Sequence, residues 1–228
     1  MTRLFACQLL DEAYFEKMKP QMLSHVPVSC ADKALSYYHS NDTQRHLIGE
    51  LLARYALKES SGIWHKEPFS TGDKGKPHPD GLNGTHFNVS HSGHWVVVAV
   101  STDIVGVDVE HVRKMPEGVA YRYFSEPEKQ LLDAADNDAE KAHTFFSLWT
   151  LKESFIKAIG KGLTKSLSSF TVIRKDDGNY ILLPDPETKD FHLKSYTFEE
   201  GYKLAVCAKD ADFDDKVNIL NIDNLLPV

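Results

Sequence analysis

The 228-residue chain is 42% hydrophobic and 26% charged, with a formal net charge of -7, enough apolar content for a sizeable core in one large domain or two small halves. The acidic balance argues against non-specific nucleic-acid binding, which relies on clustered Lys and Arg. The three cysteines, Cys7, Cys30 and Cys207, lie far apart with no CxxC, which argues against a disulfide framework or a thiolate zinc site. Met1 to Ala6 carries no long apolar stretch, and no run approaches the ~20 apolar residues of a membrane helix. The expectation is a soluble cytoplasmic protein with no nucleic-acid or membrane partner.

Residues 41–57 read as a helix, with Asn41 or Asp42 as its cap and Ile48, Leu51, Leu52 and Tyr55 at helical spacing. Residues 66–84 collect Pro, Gly, Asp, Lys and Asn and read as a loop. Phe87-Asn88-Val89 begins a strand, Ser90-His91-Ser92-Gly93 reads as a turn, and Trp95 to Val100 reads as a buried strand; another follows from Ile104 to Glu110. Ser125-Glu126-Pro127-Glu128 fits a capping box opening a helix that ends before Asp136-Asn137-Asp138. Residues 139–159 form a longer helix, apolar over much of its circumference and so expected between layers, with Gly160 and Gly162 as stop signals. Strands follow near 169–174, 179–183, 191–198 and 202–208. Helix then mostly strands, twice over, predicts an α+β fold with antiparallel sheet. Gly93-His94-Trp95-Val96-Val97-Val98-Ala99-Val100 is echoed by Gly201-Tyr202-Lys203-Leu204-Ala205-Val206-Cys207-Ala208. The echo predicts two similar halves, 1–105 and 106–228, with the site at their junction.

Chemistry concentrates in two segments. In Gly106-Val107-Asp108-Val109-Glu110 the carboxylates alternate, so Asp108 and Glu110 share one face of a strand while Val107 and Val109 face a core. A carboxylate pair among apolar neighbours needs a compensating cation. Glu153 and Lys157 are four apart on the long helix. On a solvated helix that spacing is an ordinary pair contributing about 0.2–0.5 kcal/mol, but here the helix is aromatic-rich. Three carboxylates and one ammonium suit Mg²⁺ beside a polyphosphate, with Mn²⁺ also accepted by oxygen ligands. Ser90, His91 and Gly93 offer donors and close backbone approach to phosphate oxygens. Lys76 beside Gly75 in the loop, and Arg45 in the first helix, are cations with a solvated reading as well. His86, His91 and His94 do not match the spacing of a zinc site. GxxxxGK[ST] and GxSxG are both absent from the sequence.

These segments, with Trp149-Thr150-Leu151-Lys152-Glu153-Ser154-Phe155-Ile156-Lys157, Gly160-Lys161-Gly162-Leu163, Gly75-Lys76-Pro77 and Tyr38-His39 through Arg45 to Gly49, resemble the Sfp-type phosphopantetheinyl transferases from about residue 30 to about 210. The resemblance implies a monomer of two similar α+β halves with coenzyme A between them. It implies Mg²⁺ on Asp108, Glu110 and Glu153, and a phosphate contact from Lys157. Lys76, Ser90, His91 and Arg45 would hold the 3′-phospho-ADP part, and Lys33 would lie near the 3′-phosphate. Some relatives carry a second lysine three residues before that one, where this chain has Cys30. The implied reaction moves 4′-phosphopantetheine from coenzyme A to a serine of an apo acyl- or peptidyl-carrier protein, with Glu153 as candidate base, directly or through a metal-bound water, and releases adenosine 3′,5′-bisphosphate. Met115 to Phe124, with Arg113, Lys114, Tyr121, Arg122 and Tyr123, reads as the docking surface for the carrier or equally as a core-forming connection. A Mg²⁺-dependent phosphohydrolase and a non-catalytic coenzyme A or carrier-protein binding module are the competing readings.

Overall fold

Two helices of 22 residues, one in each half of the sequence, each cover one face of a sheet. The computed structural model describes residues 1–72, 75–82, 84–176, 178–183 and 186–226; Lys74, part of the expected loop, lies outside them. Strand β1 (Arg3–Gln8) is followed by α1 (Glu12–Ser24), α2 (Val28–Leu35) and α3 (Ser40–Ser61). The short strands β2 (Ser70–Thr71) and β3 (Pro77–His78) precede β4 (His86–Ser92), β5 (Trp95–Ser101) and β6 (Val105–His111). Then come α4 (Val119–Tyr123), α5 (Glu126–Asp133), α6 (Asp138–Ile159), β7 (Thr171–Arg174), β8 (Tyr180–Leu183), β9 (His192–Tyr196) and β10 (Tyr202–Ala208). The chain ends with β11 (Asn218–Leu220) and α7 (Ile222–Leu225).

The first sheet runs β11-β1-β5-β4 and the second β6-β10-β9-β8-β7. Strand alternation divides the apolar residues among three cores. Val96, Val98 and Val100 of β5 pack with Leu47, Leu51 and Ile48 of α3. Trp95, Val97 and Ala99 on its other face meet Val105, Val107 and Val109 of β6 and Leu204 and Val206 of β10. Ala205 and Cys207, on the far face of β10, pack with Leu151 and Phe155 of α6. The layers are therefore α3, first sheet, second sheet, α6. The echoed segments occupy matching places: β5 and β10 each follow a positive-φ glycine, Gly93 and Gly201, and each supplies two cores.

Three expectations change. The first helix starts at Ser40, with His39 at its N-cap in extended conformation; neither Asn41 nor Asp42 caps it, because Ser40 already donates to Glu12 and Asp42 turns to Arg45. Ser90, His91 and Ser92 belong to strand β4, and the turn is Gly93-His94. The fold is α+β with antiparallel sheets as expected, apart from one parallel pair, but the last residues leave the second sheet. After β10 the chain returns to the first sheet, where β11 runs parallel to β1 and Ile222 and Leu225 enter the α3 core. The apolar Leu220, Ile222, Leu225 and Leu226, which bury against the α3 core, are the physical reason.

Two contacts fix α6. A Cβ on Gly106 would strike Ser154 O and Ala158 N and sit 2.9 Å from Ala158 Cα, so only glycine lets the helix close on β6. Lys152, fully buried, donates to both oxygens of Glu128 at 2.7 Å and to Phe170 O at 2.6 Å. Glu128 also accepts from Val172 N and Ser125 N, each at 2.8 Å, so this buried ion pair is hydrogen-bonded on both sides. Gly106→Ala is expected to lower unfolding free energy in urea by about 1–3 kcal/mol through overpacking. Gly49→Ala, whose Cβ would find its nearest atom at 3.4 Å, should cost much less.

Candidate active site

Strand β6 carries Gly106, Asp108 and Glu110 toward α6, while Val105, Val107 and Val109 face the core between the sheets. Ser154 and Ala158 stand over Gly106, so Glu153 and Lys157 fall beside the two carboxylates. The expected convergence of Asp108, Glu110, Glu153 and Lys157 is present. Lys157 Nζ lies 2.6 Å from Asp108 Oδ1. Burial pushes the Asp108 carboxyl above its ordinary value, against the pull of Lys157 and Ser90. Burial, then the Asp108 charge, raises Glu110 and Glu153 as well. Among the described residues Asp108 Oδ2 is buried with no hydrogen-bond partner, and Glu153 is shifted by burial and by neighbouring charges rather than by a hydrogen bond. The three carboxylates are more open than the trio of Cys30, His46 and Glu50, whose ligating atoms all lie within 4.8 Å of one another. An orphaned buried oxygen within an all-oxygen, mutually repelling donor set fits a hard divalent cation.

The neighbouring edge strand braces this group. Ser90 Oγ donates to Asp108 Oδ1 at 3.0 Å and accepts from Lys157 Nζ at 2.8 Å and Val109 N at 3.3 Å. Its one proton and both lone pairs are then used. Ser90 is a positioning residue in the free chain and does not line the larger of the two cavities beside the group. Ser92 Oγ donates to Glu110 Oε2 at 2.9 Å and accepts from His111 N at 3.1 Å. Asn88 Oδ1 accepts from Val107 N at 2.9 Å. Asn88 and Ser92 were assigned no role from sequence. Their signal is the alternation of short polar side chains with Phe87 and Val89.

Two adjoining cavities flank the group. One, about 370 Å³, is lined by Glu153, Lys157, Lys76, Asn88 and Gly160. The other, about 750 Å³, is lined by Lys33, Arg45 and His91. Arg45 is held by Asp42 at 2.7 Å and donates to Gly93 O at 2.9 Å, which fixes the β4–β5 turn. Burial, with Arg45 and Lys157 nearby, lowers the His91 pKa, so the ring is neutral near pH 7. Lys76 is not gathered with Arg45 and His91. Its ammonium donates to Val105 O and Ala158 O, each at 2.8 Å, and burial pushes its pKa down to about 8. The carbonyl of Ala158 belongs to the last turn of α6, where a cation is favoured, so Lys76 ties the 75–78 loop to the helix.

Raised carboxylate values mean that the folded chain retains protons the unfolded chain has released. Metal-free stability should therefore fall as pH climbs from the ordinary values, 3.8 for Asp and 4.5 for Glu, through the raised ones. Glu153→Gln removes one repelling charge. At pH 7 the metal-free variant should hold or gain melting temperature, by about 1–4 °C on the scale of a 150–250-residue domain. A fall of several degrees would make Glu153 a structural carboxylate.

Two family models cover most of the chain. The 4′-phosphopantetheinyl transferase superfamily model matches residues 104–207, and the model of the N-terminal region of 4′-phosphopantetheinyl transferase matches residues 16–103. The 4′-phosphopantetheinyl transferase ffp of Bacillus subtilis is 36% identical over 219 residues, 95% of this chain and 97% of that one. The 4′-phosphopantetheinyl transferase Sfp of Bacillus subtilis (strain 168) is 35% identical with the same coverage, 95% and 97%. Among solved structures, a holo-(acyl-carrier-protein) synthase from Bacillus anthracis in complex with CoA is 21% identical, covering 46% of this chain and 92% of that chain with a TM-score of 0.40. Sequence similarity across both halves, together with the carboxylate-lined junction, establishes that the chain belongs to the Sfp-type 4′-phosphopantetheinyl transferases.

Proposed function

We propose that the enzyme transfers 4′-phosphopantetheine from coenzyme A to a serine of an apo acyl- or peptidyl-carrier protein and releases adenosine 3′,5′-bisphosphate. The observation that carries this reading is the convergence of Asp108, Glu110, Glu153 and Lys157 at the junction of the halves, beside a cavity large enough for a nucleotide. Lys33, Arg45 and His91 line that cavity and supply donors for the phosphates of the nucleotide end. Asp108, Glu110 and Glu153 would hold Mg²⁺, which supplies neutralisation and alignment of the pyrophosphate.

The chain's own groups carry the rest. Lys157, 30% exposed, leaves Asp108 for a pyrophosphate oxygen, where it stabilises the charge developing on the departing phosphate. Glu153 takes up the serine proton, directly or through an intervening water that leaves its metal-facing oxygen in place, as the hydroxyl oxygen attacks the β-phosphorus; its raised pKa brings it closer to a useful base than an ordinary carboxylate. The phosphoanhydride bond then breaks and its electron pair leaves on adenosine 3′,5′-bisphosphate.

Carrier docking falls to 115–124. Met115, Val119 and Tyr123 pack on the α6 core, and Ala120 and Phe124 are buried in it, whereas Tyr121 and Arg122 face solvent. The segment thus has an apolar inner side and a basic, aromatic outer side suited to an acidic carrier. The reading concerns a chain in which no helix among the described residues is long and apolar enough to cross a membrane.

Intact mass of apo carrier protein after incubation with coenzyme A, Mg²⁺ and enzyme tests the reading. The expected result is one added phosphopantetheine, abolished by EDTA and by Asp108→Ala. Cleaved coenzyme A with unmodified carrier would instead indicate a hydrolase. Arg122→Glu should weaken carrier binding and leave coenzyme A affinity unchanged; a drop in both would remove the docking assignment.

A further inference from the structure

A second group of ligating side chains lies in the wall of the larger cavity, apart from the carboxylates of β6 and α6. Cys30 comes from α2, while His46 and Glu50 stand four apart on α3 and so share a face. Their sulfur, nitrogen and oxygen atoms all lie within 4.8 Å of one another. A tetrahedral zinc ion, with bonds of about 2.0–2.3 Å, needs neighbouring ligand atoms about 3.3–3.8 Å apart, so closure takes roughly an ångström of side-chain movement.

The surroundings are those of ligands already oriented. His46 Nε2 is buried and has no hydrogen-bond partner among the described residues. The other ring nitrogen faces the Cys30 backbone carbonyl, which leaves the Nε2 lone pair free for a cation. Arg54, fully buried, holds Glu50 Oε2 at 2.6 Å and is itself anchored by Glu67 O at 3.0 Å. Arg54 fixes where the carboxylate points, and the Cys30 thiol donates to that same carboxylate, a contact that a bound metal ion would replace. All three ligands line the cavity, so a fourth position opens into it.

We propose that Cys30, His46 and Glu50 form a zinc site with its fourth position open to the cavity, separate from the hard-metal carboxylates. A sulfur, nitrogen and oxygen donor set selects zinc over magnesium, which takes oxygen ligands and rejects thiolate. On binding, the thiol releases its proton to solvent. Thiolate and carboxylate balance the two charges of the ion, and the nearby Arg54 guanidinium favours an anion in the fourth position. This assignment goes beyond the transfer reading and does not depend on it.

Cobalt(II) titration of the chelator-treated full chain tests the site, since a cobalt–thiolate bond gives a near-ultraviolet charge-transfer band. One equivalent should produce the band, zinc should displace it, and a large excess of Mg²⁺ should not. Cys30→Ser should abolish the band, and His46→Gln should weaken zinc competition at least about tenfold, the lower end for disrupted metal sites. Glu153→Gln should give the same charge-transfer band as the unaltered chain, because cobalt held by the β6 and α6 carboxylates has no thiolate ligand. Circular dichroism checks each variant's fold, and His46→Gln decides the matter if Cys30→Ser does not fold. No band in the unaltered chain, a band that survives Cys30→Ser, or unchanged zinc affinity in His46→Gln would overturn the proposal.

Discussion

The fold and the site both depend on a row of side-chain hydrogen bonds between two strand edges. Strand β4 ends the first sheet and β6 ends the second. Two such edges would ordinarily pair through their backbones or stay exposed. Here Asn88, Ser90 and Ser92 reach across and accept from Val107 N, Val109 N and His111 N in turn. The spacing of two residues on both strands makes this a ladder with side chains in place of one backbone. It satisfies the outward N–H groups of β6 while keeping the strands further apart than a sheet allows. Because Ser90 and Ser92 also donate to Asp108 and Glu110, the contacts that join the halves also aim the carboxylates.

Two treatments of buried charge sit on one helix. Lys152 and Glu128 satisfy each other and nearby backbone groups, and they lock α5, α6 and β7 together. From the next position, Glu153 joins Asp108 and Glu110 of β6 around the Lys157 ammonium, and Asp108 Oδ2 has no partner among the described residues. The second group is costly in the free protein, and that cost is what a cation and a pyrophosphate would relieve. Stability comes from the satisfied pair and from the helix approach that Gly106 permits, and the unsatisfied group is left for ligand binding.

Much of this was legible in the sequence. The alternation in 105–110 fixed which side chains share a face, and the apolar girth of 139–159 identified a buried helix with Glu153 and Lys157 on one face; the expected place between layers is not the one found, because α6 is the outer layer and its remaining apolar side chains are covered by α4 and α5. What stayed hidden has local causes. The segments holding β1, α1 and α2 were not read as elements, and β1 is apolar on both faces because it is covered by α3 on one side and the second sheet on the other. The return of β11 and α7 to the first sheet is a long-range pairing with no local periodicity. The contacts that Ser90 and Lys76 make within the free chain were also hidden, because short-range sequence gives residue type but not direction. In the fold both point inward, to Asp108 and to the end of α6. Cys30 lacked a CxxC partner, and only the packing of α2 on α3 brings it to His46 and Glu50.

Native-state amide exchange, read residue by residue by NMR, is the most direct test of the side-chain ladder. Val107 and Val109 lie on a sheet edge, yet their amides should exchange about as slowly as those of Gly106 and Asp108, whose strand is paired with β10. Ser90→Ala should then speed exchange at Val109 while leaving Val107 protected. Fast, edge-like exchange at both valines in the unaltered chain would contradict the account: the halves would not be joined through Asn88, Ser90 and Ser92, and the carboxylates would lack the brace assigned to them.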